Sequence, residues 1–388
     1  MIDTQAHIDW ILGPGRMGGL QTIVDGLGAR LCADGVPTMR VRISFRTTHP
    51  LTAALTVIWE ANAEPIKAFT VPHGLETRSD YAGSPLAAIA ITGRPFRRSL
   101  TEKLGEADHV SLHEIQYRGG TDYYGLPLDF VTGHRGMVVF VCDAADGFSD
   151  AQISGLTQIA AVLAPIVEAR ANHQLATAIA TSYLGQRTGL RVLDGQITRG
   201  DIETVEAAIL FSDMRGWTAL NATRPATEAL KIANSYFEVI SDAVDAQGGE
   251  ILKFMGDGVL ALFPSDGTQQ GQITACRQAV AASHAAQGIA TLAELPVPFG
   301  IGIHYGAVLY GNVGARARID FTVLGQSVNI AARVEACCAR LNQRVLVSDT
   351  VAQTLGTGMT HVSTEPLKGV NAPMALHTPL AGDAPQAG

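Results

Sequence analysis

Gly248-Gly249-Glu250-Ile251-Leu252-Lys253-Phe254-Met255-Gly256-Asp257-Gly258, running on through Val259 to Phe263, decides the fold of the second half of this chain. Ile251 to Phe254 and Val259 to Phe263 are apolar runs of strand length, and Asp-Gly between such runs is a strong hairpin signal. Upstream, Ala226 to Ala246 carries Ala229, Ile232, Ala233, Tyr236, Phe237, Ile240 and Val244 at helical spacing, and Gly248-Gly249 stops it. Before that, Val205 to Phe211 is an apolar strand. Beyond the hairpin, Gln272 to about Leu292 is an Ala-rich helix. Pro298 to Tyr305, Val308 to Tyr310 and Phe321 to Leu324 read as strands, and Val328 to Cys338 as a helix. Short strands at Val345 to Val347 and Met374 to His377 close the pattern. The order β-α-β-β-α-β with added strands predicts a ferredoxin-like α+β domain over residues 204–380.

Working outward, residues 381–388 are a loose Ala/Gly/Pro tail, and residues 165–203 read as a connector that is helical at first and then Gly-rich. Gly19 to Leu31 has helical spacing, and Met39 to Phe45, Ala54 to Trp59 and Gly136 to Cys142 read as strands. Ser149 to about Tyr183 is a long periodic helix, which Pro165 is expected to kink or split. A mixed sheet with flanking helices and a helix leading out suggests a sensory α+β domain of the GAF or PAS kind over residues 1–164.

The chain has 388 residues, which at about 150 per domain fits two domains. With 47% apolar and 16% charged residues it has material for packed cores. The net charge of −8 argues against a general binder of nucleic acid or anionic membranes. Cys32, Cys142, Cys276, Cys337 and Cys338 form no Cys-x-x-Cys and read as reduced, mostly buried thiols. The first residues lack a signal-peptide pattern, and no uncharged apolar run approaches the ~20 residues of a membrane helix. The expectation is a cytoplasmic protein without membrane insertion.

Three pairs of residues carry candidate chemistry. Asp213, just past a strand end, and Asp257, in the hairpin turn, are placed to converge. Hard divalent ions take oxygen ligands, and two carboxylates bridging two ions suit in-line phosphoryl displacement. Ordinary turn aspartates are the competing reading. Lys253 can donate to adenine N1, and the Thr322 hydroxyl can accept from its 6-amino group; guanine reverses both polarities. Asp320 shares the Thr322 strand face and competes as an acceptor. A solvated surface Lys and a plain strand Thr are equally simple readings. Asn329 and Arg333 lie at i and i+4, on one helix face, where a guanidinium can stabilise charge developing on a phosphate. An exposed polar face with Arg333 in an ion pair is the alternative. Lys368 is a further phosphate candidate, or a loop lysine.

Residues from about Ala207 to Leu380 resemble the class III adenylate/guanylate cyclase family. The resemblance rests on Phe211-Ser212-Asp213-Met214-Arg215-Gly216-Trp217-Thr218, the hairpin quoted above, Asp320-Phe321-Thr322-Val323-Leu324-Gly325 and Val328-Asn329-Ile330-Ala331-Ala332-Arg333. It covers slightly less than half the chain, and the order and spacing of the pieces make it specific. It implies that the protein converts ATP to cyclic AMP with two Mg²⁺ or Mn²⁺ ions, held by Asp213 and Asp257 with backbone carbonyls of Ser212 or Met214. It implies adenine selection by Lys253 and Thr322, with Asp320 beside them. Ribose orientation falls to Asn329, transition-state stabilisation to Arg333, and triphosphate contact to Lys368 and the Arg215-Gly216-Trp217-Thr218 loop. It also implies a head-to-tail homodimer with shared sites, and an unknown small-molecule or protein effector at residues 1–164. Met214, Trp217 and Gln326 depart from the usual pattern without removing a reacting group. A guanylate cyclase, which would need an acid at Lys253, and a catalytically silent nucleotide-binding regulator are the alternatives. Gly13-Pro14-Gly15-Arg16-Met17-Gly18 matches Gly-x-Gly-x-x-Gly but lacks a strand–helix–strand setting, and His109 with His113 lacks the Glu of a zinc-protease helix.

Overall fold

The computed structural model describes residues 2–47, 52–61, 66–74, 81–196, 198, 200, 202–315 and 318–380. The expected tail, 381–388, lies outside the described residues. The chain divides into two compact units, Met1–Ile179 and Ala180–Gly388.

The first unit begins with α1 (Thr4–Leu12), a 3₁₀ turn at Gly15–Met17 and α2 (Leu20–Ala33). Strands β1 (Thr38–Arg46), β2 (Thr52–Glu60) and β3 (Lys67–Pro72) follow. Then come α3 (Pro85–Thr92), β4 (Phe96–Ser99), α4 (Val110–Tyr117), β5 (Asp122–Asp129), β6 (Arg135–Cys142) and α5 (Asp150–Leu184). The six strands form one antiparallel sheet in the order β3-β2-β1-β6-β5-β4. Side chains alternate across a strand, so each face has its own core. Val41, Ile43, Val138 and Phe140 pack with Ile23, Leu27 and Leu31 of α2 and Leu156, Ile159 and Leu163 of α5. Tyr123, Val139 and Val141 pack on the opposite face with Leu86 and Ile89 of α3 and Leu112 and Ile115 of α4.

Pro165 does not split α5, which runs unbroken through it. Leu163, Ala164 and Val167 are buried around the proline, so packing holds together a helix that its missing N–H weakens. By length and composition alone α5 is long and apolar enough to cross a membrane. Much of that apolarity is the face packed in the first core. Helix α1 runs up to the glycine-rich match that begins at Gly13. A helix, not a strand, precedes those glycines, which removes the dinucleotide-binding setting. His109 caps α4 and His113 lies on it. Among the described residues no three His, Cys, Asp or Glu gather as a metal site.

In the second unit, Gly185 at φ +86 separates α5 from α6 (Gln186–Leu193). Next are β7 (Ile202–Met214), α7 (Trp217–Thr223), α8 (Ala226–Ala246), β8 (Glu250–Met255), β9 (Gly258–Pro264) and α9 (Gln269–Leu292). Strands β10 (Phe299–Ala315) and β11 (Arg318–Leu324) precede α10 (Gln326–Arg340). The described chain closes with β12 (Val345–Ser348), α11 (Asp349–Leu355), β13 (Met359–Glu365) and β14 (Met374–Pro379). The sheet order is β13-β14-β12-β10-β7-β9-β8, with β11 paired to β10. Within it, β10-β7-β9-β8 together with α8 and α9 is the ferredoxin-like unit. Its core is α8 and α9 against one sheet face, with Tyr236, Ile240, Phe263 and Ile303 buried. Helix α10 covers the other face through Ala331, against Ile209, Leu260 and Tyr310. The two strands expected at 298–310 are one, because β10 runs on as a long partner for both β7 and β11.

Candidate active site

Asp213 is not beyond the end of β7. It is the next-to-last residue of the strand, paired with Gly300 on one side and Gly258 on the other. The sequence shows no stop before Met214, and the two neighbouring strands both continue that far. Asp257 sits beside it, in the turn that Gly256 makes at φ +67. The lack of a side chain at Gly258 matters here: a Cβ at that position would lie 3.3 Å from Asp213 Oδ1. Burial first, and then the Asp257 carboxylate, push the Asp213 pKa up to about 6. No cation among its causes opposes that rise. Two crowded carboxylates without a Lys or Arg to neutralise them are the donor set that a hard divalent cation fits. The Ser212 side chain is turned away into the core, where its Oγ donates to the Gly300 carbonyl at 2.9 Å and accepts from the Tyr236 hydroxyl at 2.8 Å. Only backbone atoms of Ser212 remain for the site.

The loop after β7 divides its residues. Gly216 takes φ +72 and caps α7, and Trp217 packs against the main core. Thr218 is exposed. Arg215, expected at the triphosphate, instead donates to the Gln343 carbonyl, and its Nε is buried without a partner. Its guanidinium is near a residue the sequence reasoning passed over, Glu335 of α10. The Glu335 carboxyl is buried, and its pKa is pushed up to about 7 by burial first and by Asp213 and Asp257, with Arg215 opposing. Glu335 follows Arg333 by two positions, so it turns toward the sheet rather than away from it. Gly300 and Gly302 make room for it: a Cβ at Gly302 would lie 2.3 Å from the Glu335 nitrogen. The paired glycines at 300 and 302 were the available signal for a helix lying directly on the strand.

Lys253 on β8 forms an ion pair with Asp320 on β11, both half exposed. Thr322 lies two residues along on β11, opposite Gly311. Of the two acceptors read from the sequence, Asp320 is the one that holds Lys253 here. Asn329 is exposed on α10, and Arg333 is half-buried. Arg333 comes close to the loop bearing Lys368: a Cβ on Gly369 would meet its Nη1 at 3.2 Å, and Gln326 Nε2 donates to the Gly369 carbonyl at 3.0 Å. The fold therefore groups Asn329, Arg333 and Lys368 around α10, and Asp213 and Asp257 around the hairpin.

The Adenylate and Guanylate cyclase catalytic domain family matches residues 201–377. An adenylate cyclase of Anabaena cylindrica is 34% identical over 160 residues, 40% of this chain and 32% of that protein. The terminal-differentiation-specific adenylate cyclase of Dictyostelium discoideum is 28% identical over 162 residues, 41% of this chain and 8% of that protein. The chain thus spans a third or less of the length of these relatives. Among solved structures, the adenylyl cyclase CyaB from P. aeruginosa aligns with 48% of this chain and 100% of its own, at 22% identity and a TM-score of 0.42. The guanylyl cyclase Cya2 aligns with 48% and 98%, at 29% identity and a TM-score of 0.39. Through residues 201–377 the chain belongs to the class III adenylate/guanylate cyclase family.

Proposed function

We propose that the protein is an adenylate cyclase, converting ATP to 3′,5′-cyclic AMP and pyrophosphate. The observation that carries this reading is the Asp213–Asp257 pair, crowded and, among the described residues, without a neutralising cation, in a domain whose edge strand also carries a half-exposed Lys253. In the reaction the ribose 3′-oxygen bonds to the α-phosphorus, the bond from that phosphorus to the bridging oxygen breaks, and the hydroxyl proton is lost. Two Mg²⁺ or Mn²⁺ ions held by Asp213, Asp257 and the adjoining backbone carbonyl of Met214 or Ser212 would activate the hydroxyl and neutralise triphosphate charge. Lys253 donates to adenine N1 after exchanging its Asp320 contact for the base, and Thr322 accepts from the 6-amino group. Asn329 orients the ribose, Arg333 meets charge on the α-phosphate, and Lys368 holds the departing pyrophosphate. Gly216, Trp217 and Thr218 supply backbone near the phosphates, whereas Arg215 acts from behind the site.

The residues of the two groups come from opposite partners of a head-to-tail homodimer in this reading. Phe254, Met255, Ile319 and Leu324 support it: they are large, apolar and exposed on the strands that carry Lys253 and Thr322. Residues 1–164 act as a GAF-like sensor, which a single antiparallel sheet with a separate core on each face supports. Four buried free thiols, with Cys32 exposed, suit a cytoplasmic protein, and α5 serves as a core and connector helix rather than a membrane span. The test is incubation of the purified chain with ATP or GTP and Mg²⁺ or Mn²⁺, followed by nucleotide chromatography. Cyclic AMP from ATP is expected. Cyclic GMP as the sole product overturns the base assignment, and tight ATP binding without turnover overturns catalysis in favour of a regulator.

A further inference from the structure

A cavity lies in the first unit, on the sheet face covered by α3 and α4. Arg42 of β1 belongs to the face opposite Val41 and Ile43, and it lines a cavity of about 400 Å³. Its Nε donates to Ser44 Oγ at 2.9 Å. Its two terminal nitrogens donate to no group among the described residues, and no carboxylate there pairs with it. Burial pulls its pKa down, Tyr123 opposes that, and the nearby Arg40 adds to the fall. A withdrawn guanidinium with an unused donor fork is costly unless something accepts from it.

The neighbouring charges are already committed. Buried Glu60 takes Arg40, Lys67 and Arg118 together, at contacts that include 3.0 Å to Lys67 and 2.9 Å to Arg118. Burial would raise the Glu60 pKa, but those three partners outweigh it and hold it at about 2, so Glu60 stays ionised and occupied. Glu114, a carboxylate on the cavity wall, is largely exposed and lies 3.9 Å from Arg118. Among the described residues, the surroundings of Arg42 therefore carry more positive than negative charge.

A further donor lines the same cavity. His109 Nδ1 accepts the Ser111 backbone N–H at 3.2 Å. In the neutral ring the proton then sits on Nε2, which is buried and has no partner among the described residues. Leu86, Ile115, Tyr123 and Val139 supply an apolar and aromatic stretch of the same wall. Apolar walls with a few convergent donors are the features of a small-molecule site.

We propose that this cavity binds a small organic oxyanion, its carboxylate or phosphate head on the Arg42 fork and its apolar body against Tyr123, Leu86 and Val139. This deepens the reading of the first unit as a sensor by naming the site and the ligand chemistry. The test is isothermal titration calorimetry of the full chain, without nucleotide, using benzoate, phenyl phosphate and benzyl alcohol. Its readout is binding alone, so it stands apart from whether ATP is turned over or the rate responds.

Benzoate or phenyl phosphate is expected to bind with a dissociation constant below about 1 mM, and the tighter of the two identifies the head group. Arg42→Gln should weaken that binding at least about tenfold, the loss expected for a charge-assisted hydrogen bond. Thr70→Trp, at an exposed β3 position on the cavity wall, should weaken it as strongly and carries the test if circular dichroism shows Arg42→Gln unfolded. No binding of either anion overturns the proposal. So does binding unchanged in the folded variants, or benzyl alcohol binding as tightly as the anions.

Discussion

At the scale of single residues, charge and burial oppose each other behind the acidic pair. Asp213 and Glu335 hold their protons more tightly in the folded chain than in the unfolded one, with pKa values pushed up to about 6 and about 7. A group raised in this way stabilises the fold fully below its unfolded pKa, and that contribution is lost as pH rises through the folded value. The metal-free protein should therefore lose melting temperature between about pH 4 and pH 7 through these two groups. Glu335→Gln removes one of them. Its melting temperature, followed by circular dichroism in chelator, should fall less over that range than the wild type's. An equal fall in both would remove Glu335 as a cause. Lys253 belongs at this scale too: it sits at the edge of a sheet and is held by Asp320, so the proposed contact with a base would not require burying its charge.

Among the elements, the contact between β10 and α10 sets how the site is assembled. Gly300, Gly302 and Gly306 leave β10 without side chains under the helix, and α10 settles onto the backbone. A side chain at Gly302 would meet the Glu335 nitrogen at 2.3 Å and the Ala331 carbonyl at 2.6 Å, both backbone atoms with no rotamer to yield. Gly302→Val should destabilise the chain by about 3 kcal/mol, the upper end for overpacking, read as a lower urea midpoint. Gly288→Ala is the control: it is a helical glycine in α9 with open space around it, and it should be neutral or stabilising by up to about 1 kcal/mol. Equal midpoints for the two variants would remove the close approach as the reason for these glycines. The connector is fastened to the same domain. Thr188 of α6 donates to Glu250 Oε1 through its backbone N–H at 3.0 Å and its hydroxyl at 3.1 Å, and the Tyr310 hydroxyl donates to Glu250 Oε2 at 3.0 Å. Glu250 begins β8, the strand that carries Lys253, so α6 is attached at the root of that strand.

For the whole molecule, the site residues fall into two groups within one chain, and the proposed reaction needs both. If two copies share sites head to tail, an Asp213→Ala chain retains an intact Arg333 and an Arg333→Ala chain retains intact aspartates. Mixing the two inactive chains should restore about a quarter to a half of wild-type activity, because one of the two sites in each mixed dimer is complete. Activity that stays at background in mixed dimers verified by mass would place each site within one chain.

Periodicity and turn chemistry are local, so the sequence carried much of the element order by itself. Helix α8 and the β8–β9 hairpin follow from apolar spacing and one Asp-Gly, and the identity of Asp213, Asp257, Lys253, Asn329 and Arg333 was legible in their motifs. Helices α1, α3, α4 and α11 and strands β3, β4 and β13 were not legible, because short or partly exposed elements lack a long apolar period, and β5, though buried, was not legible because Gly125 and Pro127 interrupt its run. Partner choice depends on distance in space, which no local pattern encodes. Tertiary structure alone put Lys253 on Asp320, turned Arg215 back to Gln343, buried Glu335 behind the acid pair, and left Arg42 at a cavity with donors unspent. Residue type fixes which chemistry a side chain can perform; the neighbours that folding assembles, through burial and charge, fix which of those possibilities it uses.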